Sequence, residues 1–183
     1  MRIILRSIFA VFSAGLIFSS CEDIQSYPET PHVDYKSFGI FSSVDPLGNE
    51  ILVGQLEFEF TDGDGNVGLK QDSTTTIPDS LKYNLFLSLY DKQGADFEKV
   101  EDLSSLNFRI PYIEREGQNK TLRGTITVDL EYKTLKYDTI FYTFYITDRD
   151  FNRSNVDSTE VLIFRGIEEG EKSGIVDHGP WKE

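Results

Sequence analysis

One cysteine, one tryptophan, one methionine and two histidines stand in a chain of 183 residues, and each scarcity removes a class of chemistry. With Cys21 alone, no intramolecular disulfide can form and no Cys-x-x-Cys motif exists. His32 and His178 lie near the two ends, so the body has no imidazole to act as base beside a nucleophile. Gly-x-Ser-x-Gly, His-Glu-x-x-His and phosphate-loop patterns are missing as well. A carboxylate pair is the one catalytic device that the composition still permits. Aspartates in glycine-rich loops more often make turns, however, and the chain reads as non-catalytic. Positive charge is also short, with 18 Lys and Arg against 31 Asp and Glu and a net charge of −13. Such a surface repels polyanions and gathers cations, which argues against nucleic acid as a partner. No basic amphipathic stretch is present to hold a membrane electrostatically. Nor does any apolar run reach the roughly 20 residues a spanning helix needs.

What the chain does have begins at its amino terminus. Arg2 and Arg6 precede an apolar run from Ser7 to Phe18, and Ser19-Ser20-Cys21 follows. That is the charged, hydrophobic and small-residue order of a secretory signal, assigned to residues 1–20. Its removal takes Arg2 and Arg6 and no acid, moving the charge from −13 to about −15. The small residues before Cys21 resemble the lipobox of bacterial lipoproteins, although Phe18 stands where Leu is usual. The resemblance implies lipid on Cys21, and several acyl chains there would anchor the protein where a single chain is marginal. Residues 21–34 are polar, carry two prolines and have no period, so they read as a lipidated tether. Glu22-Asp23 resembles the acidic export signal of Bacteroidota surface lipoproteins, which implies an outer-membrane protein exposed at the cell surface; a plain solvated linker is the other reading. Residues 166–183, ending near Trp181, form a charged tail.

Between tether and tail the hydrophobic period is two. Leu122, Gly124, Ile126, Val128 and Leu130 alternate with Arg123, Thr125, Thr127 and Asp129, a pattern no helix can use. Further strands are expected over Tyr35 to Val44, Glu50 to Phe60, Lys82 to Tyr90, Leu106 to Tyr112, Asp138 to Thr147 and Asp157 to Phe164. Turn chemistry lies at Asp45-Pro46-Leu47-Gly48-Asn49 and Asp91-Lys92-Gln93-Gly94. A helical turn is allowed around Phe97 to Leu106. The fold class is therefore all-β, a single immunoglobulin-like antiparallel sandwich of about seven strands over residues 35–165.

Two strands end in the same acidic signature. Phe60-Thr61-Asp62-Gly63-Asp64-Gly65-Asn66-Val67-Gly68 has its counterpart in Ile146-Thr147-Asp148-Arg149-Asp150-Phe151-Asn152. Carboxylates at i and i+2 with an amide oxygen at i+4 can turn three hard oxygens to one point, the ligand type Ca²⁺ prefers. Asp62, Asp64, Asn66, Asp148, Asp150 and Asn152 are accordingly the candidate metal ligands. The first loop fits only the opening of an EF-hand, because Val67 replaces its glycine and Ser73 falls where the bidentate Glu belongs. A second reading stands beside this one: Asp-Gly and Asp-x-Asn are turn formers that cap their own backbone. If successive strands reverse direction, the second and sixth point the same way and both loops emerge at one end. That count depends on Leu106 to Tyr112 being a strand.

The two motifs, Thr61-Asp62-Gly63-Asp64-Gly65-Asn66-Val67-Gly68-Leu69 and Thr147-Asp148-Arg149-Asp150-Phe151-Asn152-Arg153-Ser154-Asn155, are similar to those of a family of Bacteroidota lipoproteins. The resemblance implies an exported immunoglobulin-like domain and carries no activity. Together these readings give a lipid-anchored, non-catalytic binding or accessory domain of the cell envelope, with calcium at one pole and an envelope protein or a glycan as partner. The alternative is a carbohydrate-binding surface lipoprotein of a glycan-uptake system, using Tyr83, Tyr90, Tyr112, Tyr132, Tyr142 and Tyr145 as a platform; the same residues at period two also serve core packing.

Overall fold

A computed structural model describes residues 27–70, 82–101, 106–114 and 120–164. The signal segment, Cys21, the tail and most of the loop after Lys70 lie outside them. Nine strands follow in order: β1 (His32–Val44), β2 (Glu50–Asp62), β3 (Leu85–Gln93), β4 (Asp96–Lys99), β5 (Asn107–Phe108), β6 (Leu122–Tyr132), β7 (Thr139–Ile146), β8 (Asp157–Ser158) and β9 (Leu162–Ile163). They form two antiparallel sheets. One is β1-β2-β6; in the other, β3 and β7 are central, β4 and β5 flank β3, and β8 and β9 flank β7.

The alternation that identifies the strands also makes the core. Leu56, Phe58 and Phe60 from β2 face Leu85, Leu87 and Leu89 from β3 and Tyr142, Phe144 and Ile146 from β7, all buried. Phe58 and Phe144 meet across the sheets with ring centroids 4.9 Å apart, and Phe38 stacks on Tyr142 at 5.9 Å. Gly54 lets this happen, because a Cβ there would lie 2.5 Å from the Phe38 ring.

The structure departs from the sequence expectations at the sheet edges. Of the stretch where a helical turn is allowed, Phe97 to Lys99 lies in β4, which forms a hairpin with β3 across Gly94, whose φ of 64° suits the turn; residues 102–105 fall outside the described ones, and Leu106 ends a 3-10 turn. The strand expected over 106–112 shrinks to Asn107–Phe108, and the one over 157–164 splits into β8 and β9. In the split, Thr159 turns its hydroxyl inward to accept the Tyr142 N–H at 3.0 Å, so a side chain replaces a rung of the ladder. At the start of the domain, β1 begins at His32 rather than at Tyr35. Val33 is fully buried, and the Asn155 side chain takes its N–H at 2.9 Å and donates to its carbonyl at 2.8 Å. His32 to Asp34 therefore belong to the sandwich, not to the tether.

These corrections leave the direction count intact. β4 and β5 both run antiparallel to β3, so they act as one interrupted strand in the place expected for 106–112. The order is immunoglobulin-like, with the fourth strand carried on the edge of the sheet that holds the third, sixth and seventh.

Candidate metal site

The acidic loops do meet. Oxygens of Asp62, Asp64 and Asp148 lie within 4.8 Å of one another. Asp62 is the last residue of β2, pinned by the Leu122 register, and Asp148 follows β7 by two residues, so the rigid ends of strands on opposite sheets set the separation.

The first loop curls because its glycines permit it. Gly65 and Gly68 have φ of 63° and 98°, and Gly63 passes so near the incoming chain that a Cβ would sit 2.2 Å from the Tyr27 carbonyl oxygen. Its N–H donates to the Pro28 carbonyl at 2.8 Å. The curl brings the Val67 N–H to Asp62 Oδ2 at 2.9 Å. The Asn66 amide nitrogen donates to Asp64 Oδ2 and to Asp150 Oδ2, both at 2.8 Å.

One oxygen on each of three residues remains. Asp62 Oδ1, Asp64 Oδ1 and Asn66 Oδ1 are buried and have no hydrogen-bond donor. Asp62 is fully buried and Asn66 is 8% exposed. Buried polar atoms are nearly always paired, so three acceptors without a donor on alternate residues of one loop mark a place that a water, a carboxyl proton shared between Asp62 and Asp64, or a cation would complete. Burial, then the adjacent Asp64 charge, pushes the Asp62 carboxyl up to about 6, against the lowering effect of the Val67 N–H.

The second loop is built differently. Asp148 Oδ1 accepts the N–H groups of Asp150 and Asn152 at 2.9 and 2.8 Å, and its Oδ2 accepts the Asn152 amide at 2.8 Å. Phe151 supplies the turn with a φ of 66°. Asp148 thus folds its own loop while presenting oxygen to the cluster. Asp150 reaches the cluster through the Asn66 amide, and the Asn152 amide nitrogen is committed to Asp148. Of the six candidate ligands, Asp62, Asp64 and Asp148 bring oxygens together, Asn66 meets the cluster through its amide nitrogen and keeps a buried oxygen without a donor, and Asp150 and Asn152 brace the two loops.

Other residues that hold the site carry no recognisable motif. Arg149 donates to the Gly68 carbonyl at 3.2 Å and lies over the Tyr112 ring at 5.1 Å. Leu69 donates to the Ile110 carbonyl at 3.0 Å, and Arg109 donates to the carbonyls of Leu69 and Lys70. Buried Asn84 accepts the Ile110 N–H at 2.7 Å through its side chain and the Thr147 N–H at 2.9 Å through its backbone. It therefore ties the exit of the first loop to the entry of the second. A lone Asn before an apolar run was the only trace of it in the sequence.

An acidic pole on a small β-sandwich is the class these observations define. Comparison with protein-family models, with curated proteins and with solved structures returned no match.

Proposed function

We propose that this is a non-catalytic binding or accessory domain of the bacterial cell envelope, held by lipid on Cys21 and stabilised at its acidic pole by a divalent cation. The three orphaned oxygens of Asp62, Asp64 and Asn66 carry the cation reading. The ligands are all hard oxygens with no imidazole or thiolate, a set that favours Ca²⁺ over Zn²⁺ or Cu²⁺. The cation acts here as a structural bond between the two sheets, since β2 ends in one ligand group and β7 leads into the other. Melting the protein in EDTA and in calcium tests this. Ligand linkage raises stability by about 2.7 kcal/mol at a hundredfold excess over Kd, and coincident melts would remove the site. For the anchor, Cys21→Ala should release the protein from the membrane fraction; retention there would refute it.

A second reading, glycan binding, draws on the outer face of β3 and β7. Phe86 stacks on Tyr145 at 5.1 Å and Tyr90 on Phe141 at 4.7 Å, with Ser88 and Thr143 paired between the two stacks. Arg153 covers Tyr145 at 3.7 Å. Phe86, Ser88, Tyr90, Thr143, Tyr145 and Arg153, together with Lys99, Glu101 and Asn107, border a groove of about 560 Å³, the size of a small-ligand site. The platform expected from six tyrosines is reduced to Tyr90 and Tyr145. Tyr132 and Tyr142 point inward and share a hydrogen bond of 2.9 Å, while Tyr83 and Tyr112 lie elsewhere. Retardation in polysaccharide gels that is lost on Tyr90→Ala would support this reading, and retardation unchanged by Tyr90→Ala would place any sugar contact off this face.

A further inference from the structure

The sheet edges of this domain are protected unequally. β4, β5, β8 and β9 are two to four residues long and interrupt both edges of their sheet. β1 has a bulge between Tyr35 and Ser37, and the side chains of Asn155 and Asp157 occupy its backbone groups near Val33 and Tyr35. Short strands, bulges and side-chain plugs are the usual devices against edge-to-edge association. β6 has none of these three, and its only guard is the exposed charge of Arg123, Asp129 and Glu131. It runs eleven residues without a proline or a register shift, and among the described residues it pairs only with β2. Its middle, Thr125-Ile126-Thr127-Val128, is strongly β-forming and uncharged.

We propose that β6 is a self-pairing edge, and that its partner is β6 of a second copy of this chain, antiparallel and centred on Thr127. Full overlap of an antiparallel pair fixes the register, with Thr127 opposite its own copy on a two-fold axis. In that register Arg123 faces Glu131 of the other copy, and Glu131 faces its Arg123. Thr125 faces Asp129, so a hydroxyl donor meets a carboxylate. All of these side chains lie on the solvent face, where each is exposed. On the inner face, half-buried Ile126 meets buried Val128, and Gly124, whose missing Cβ would lie 3.6 Å from the buried Phe60 ring, meets buried Leu130. A slip of two residues one way sets Arg123 against Lys133; the other way pairs Arg123 with Asp129 but leaves Glu131 opposite Thr121, outside the strand, and shortens the paired stretch. The pattern of charges on one strand is therefore complementary to itself at full overlap, which is what an isologous contact requires. The paired edge is about 37 Å long.

The test uses the full chain in its native membrane with single cysteines added at exposed positions. Directly opposed residues in an antiparallel pair bring their Cβ atoms to about 5 Å, within reach of a disulfide on mild oxidation. Thr127→Cys should form a covalent dimer at least about tenfold faster than Leu47→Cys, which is 86% exposed and off the edge. Thr125→Cys should cross-link with Asp129→Cys in a mixture and poorly with itself. Added to Thr127→Cys, either Arg123→Glu or Glu131→Arg should slow the reaction by setting like charges together, while mixing the two variants restores it. Equal rates at 127 and 47, or charge variants whose mixture behaves as each does alone, would overturn the proposal.

Discussion

Replacing Asp62 by Asn separates a cation site from a mere turn. The substitution keeps an oxygen for the Val67 N–H, now 2.9 Å from Asp62 Oδ2. It also turns an amide N–H₂ toward the orphaned oxygens of Asp64 and Asn66. Without metal the wild-type carboxylate is an uncompensated buried charge. Its folded value of about 6, against an ordinary 3.9, costs about 2 to 3 kcal/mol near neutral pH. In EDTA the variant should therefore be more stable by that amount, which for a domain of this size is roughly 4 to 10 °C in Tm. Calcium reverses the advantage, because the wild type gains about 2.7 kcal/mol at a hundredfold excess over Kd and about 4.1 at a thousandfold. The variant, lacking one charged ligand, should hardly respond. Differential scanning fluorimetry across a calcium series, each point paired with EDTA, gives both curves. A variant that leads by the same margin at every calcium concentration would refute the cation site, and one that trails in EDTA would refute the buried-charge argument.

The remaining predictions use the same pole. In EDTA, wild-type stability relative to Asp62→Asn should fall as pH rises from about 4 through 6, because the folded state keeps the Asp62 proton over a range where the unfolded chain has released it; urea titrations at pH 4.5 and 7.5 check the sign. Saturating calcium should invert that trend, since metal and proton compete for the same oxygens. Asp148→Ala should act oppositely to Asp62→Asn in EDTA, lowering stability by about 2 to 4 kcal/mol, because two backbone N–H groups and the Asn152 amide lose their acceptor; a gain on thermal melting would show that the second loop does not depend on it. Gly63→Ala should cost about 1 to 3 kcal/mol, since the added Cβ meets the Tyr27 and Pro28 carbonyls at 2.2 and 2.4 Å; limited proteolysis should then cut near Tyr27 faster than in the wild type.

Much of this architecture was legible because the period-two pattern is a property of each strand by itself. Leu122 to Tyr132 and Thr139 to Ile146 stood out for that reason, and counting their reversals brought Asp62 and Asp148 to one end. The edges were not legible, because what defines them is long-range. Asn155 is 122 residues from the Val33 backbone it pairs with, and Thr159 replaces a rung only because Tyr142 is there to receive it. The roles of the six candidate ligands were likewise hidden. Asp62-Gly-Asp64-Gly-Asn66 and Asp148-Arg-Asp150-Phe-Asn152 look like the same motif. In the first, glycines let the loop curl and leave three buried oxygens without donors; in the second, Arg149 and Phe151 occupy those places, and Asp148 closes the turn on itself.

The path of the chain into the sandwich bears on where this pole stands. Tyr27 and Pro28 cross directly over Gly63, and β1 leaves from there with His32 opposite Thr61. The chain therefore enters at the acidic end, and β1 carries it away toward the turn at Asp45–Asn49. With lipid on Cys21, as proposed above, the six residue steps to Tyr27 span at most about 20 Å. In the antiparallel β6 pair proposed above, the two acidic poles lie at opposite ends of the shared edge, so both tethers reach the bilayer when the paired strands run along its surface and the two-fold axis stands on the membrane normal. A cation at the near pole suits a role in holding the two sheets together where the chain is pulled, not in meeting a distant partner. Contacts with other molecules fall instead to the flanks, the aromatic face of β3 and β7 on one sheet and the open β6 edge on the other.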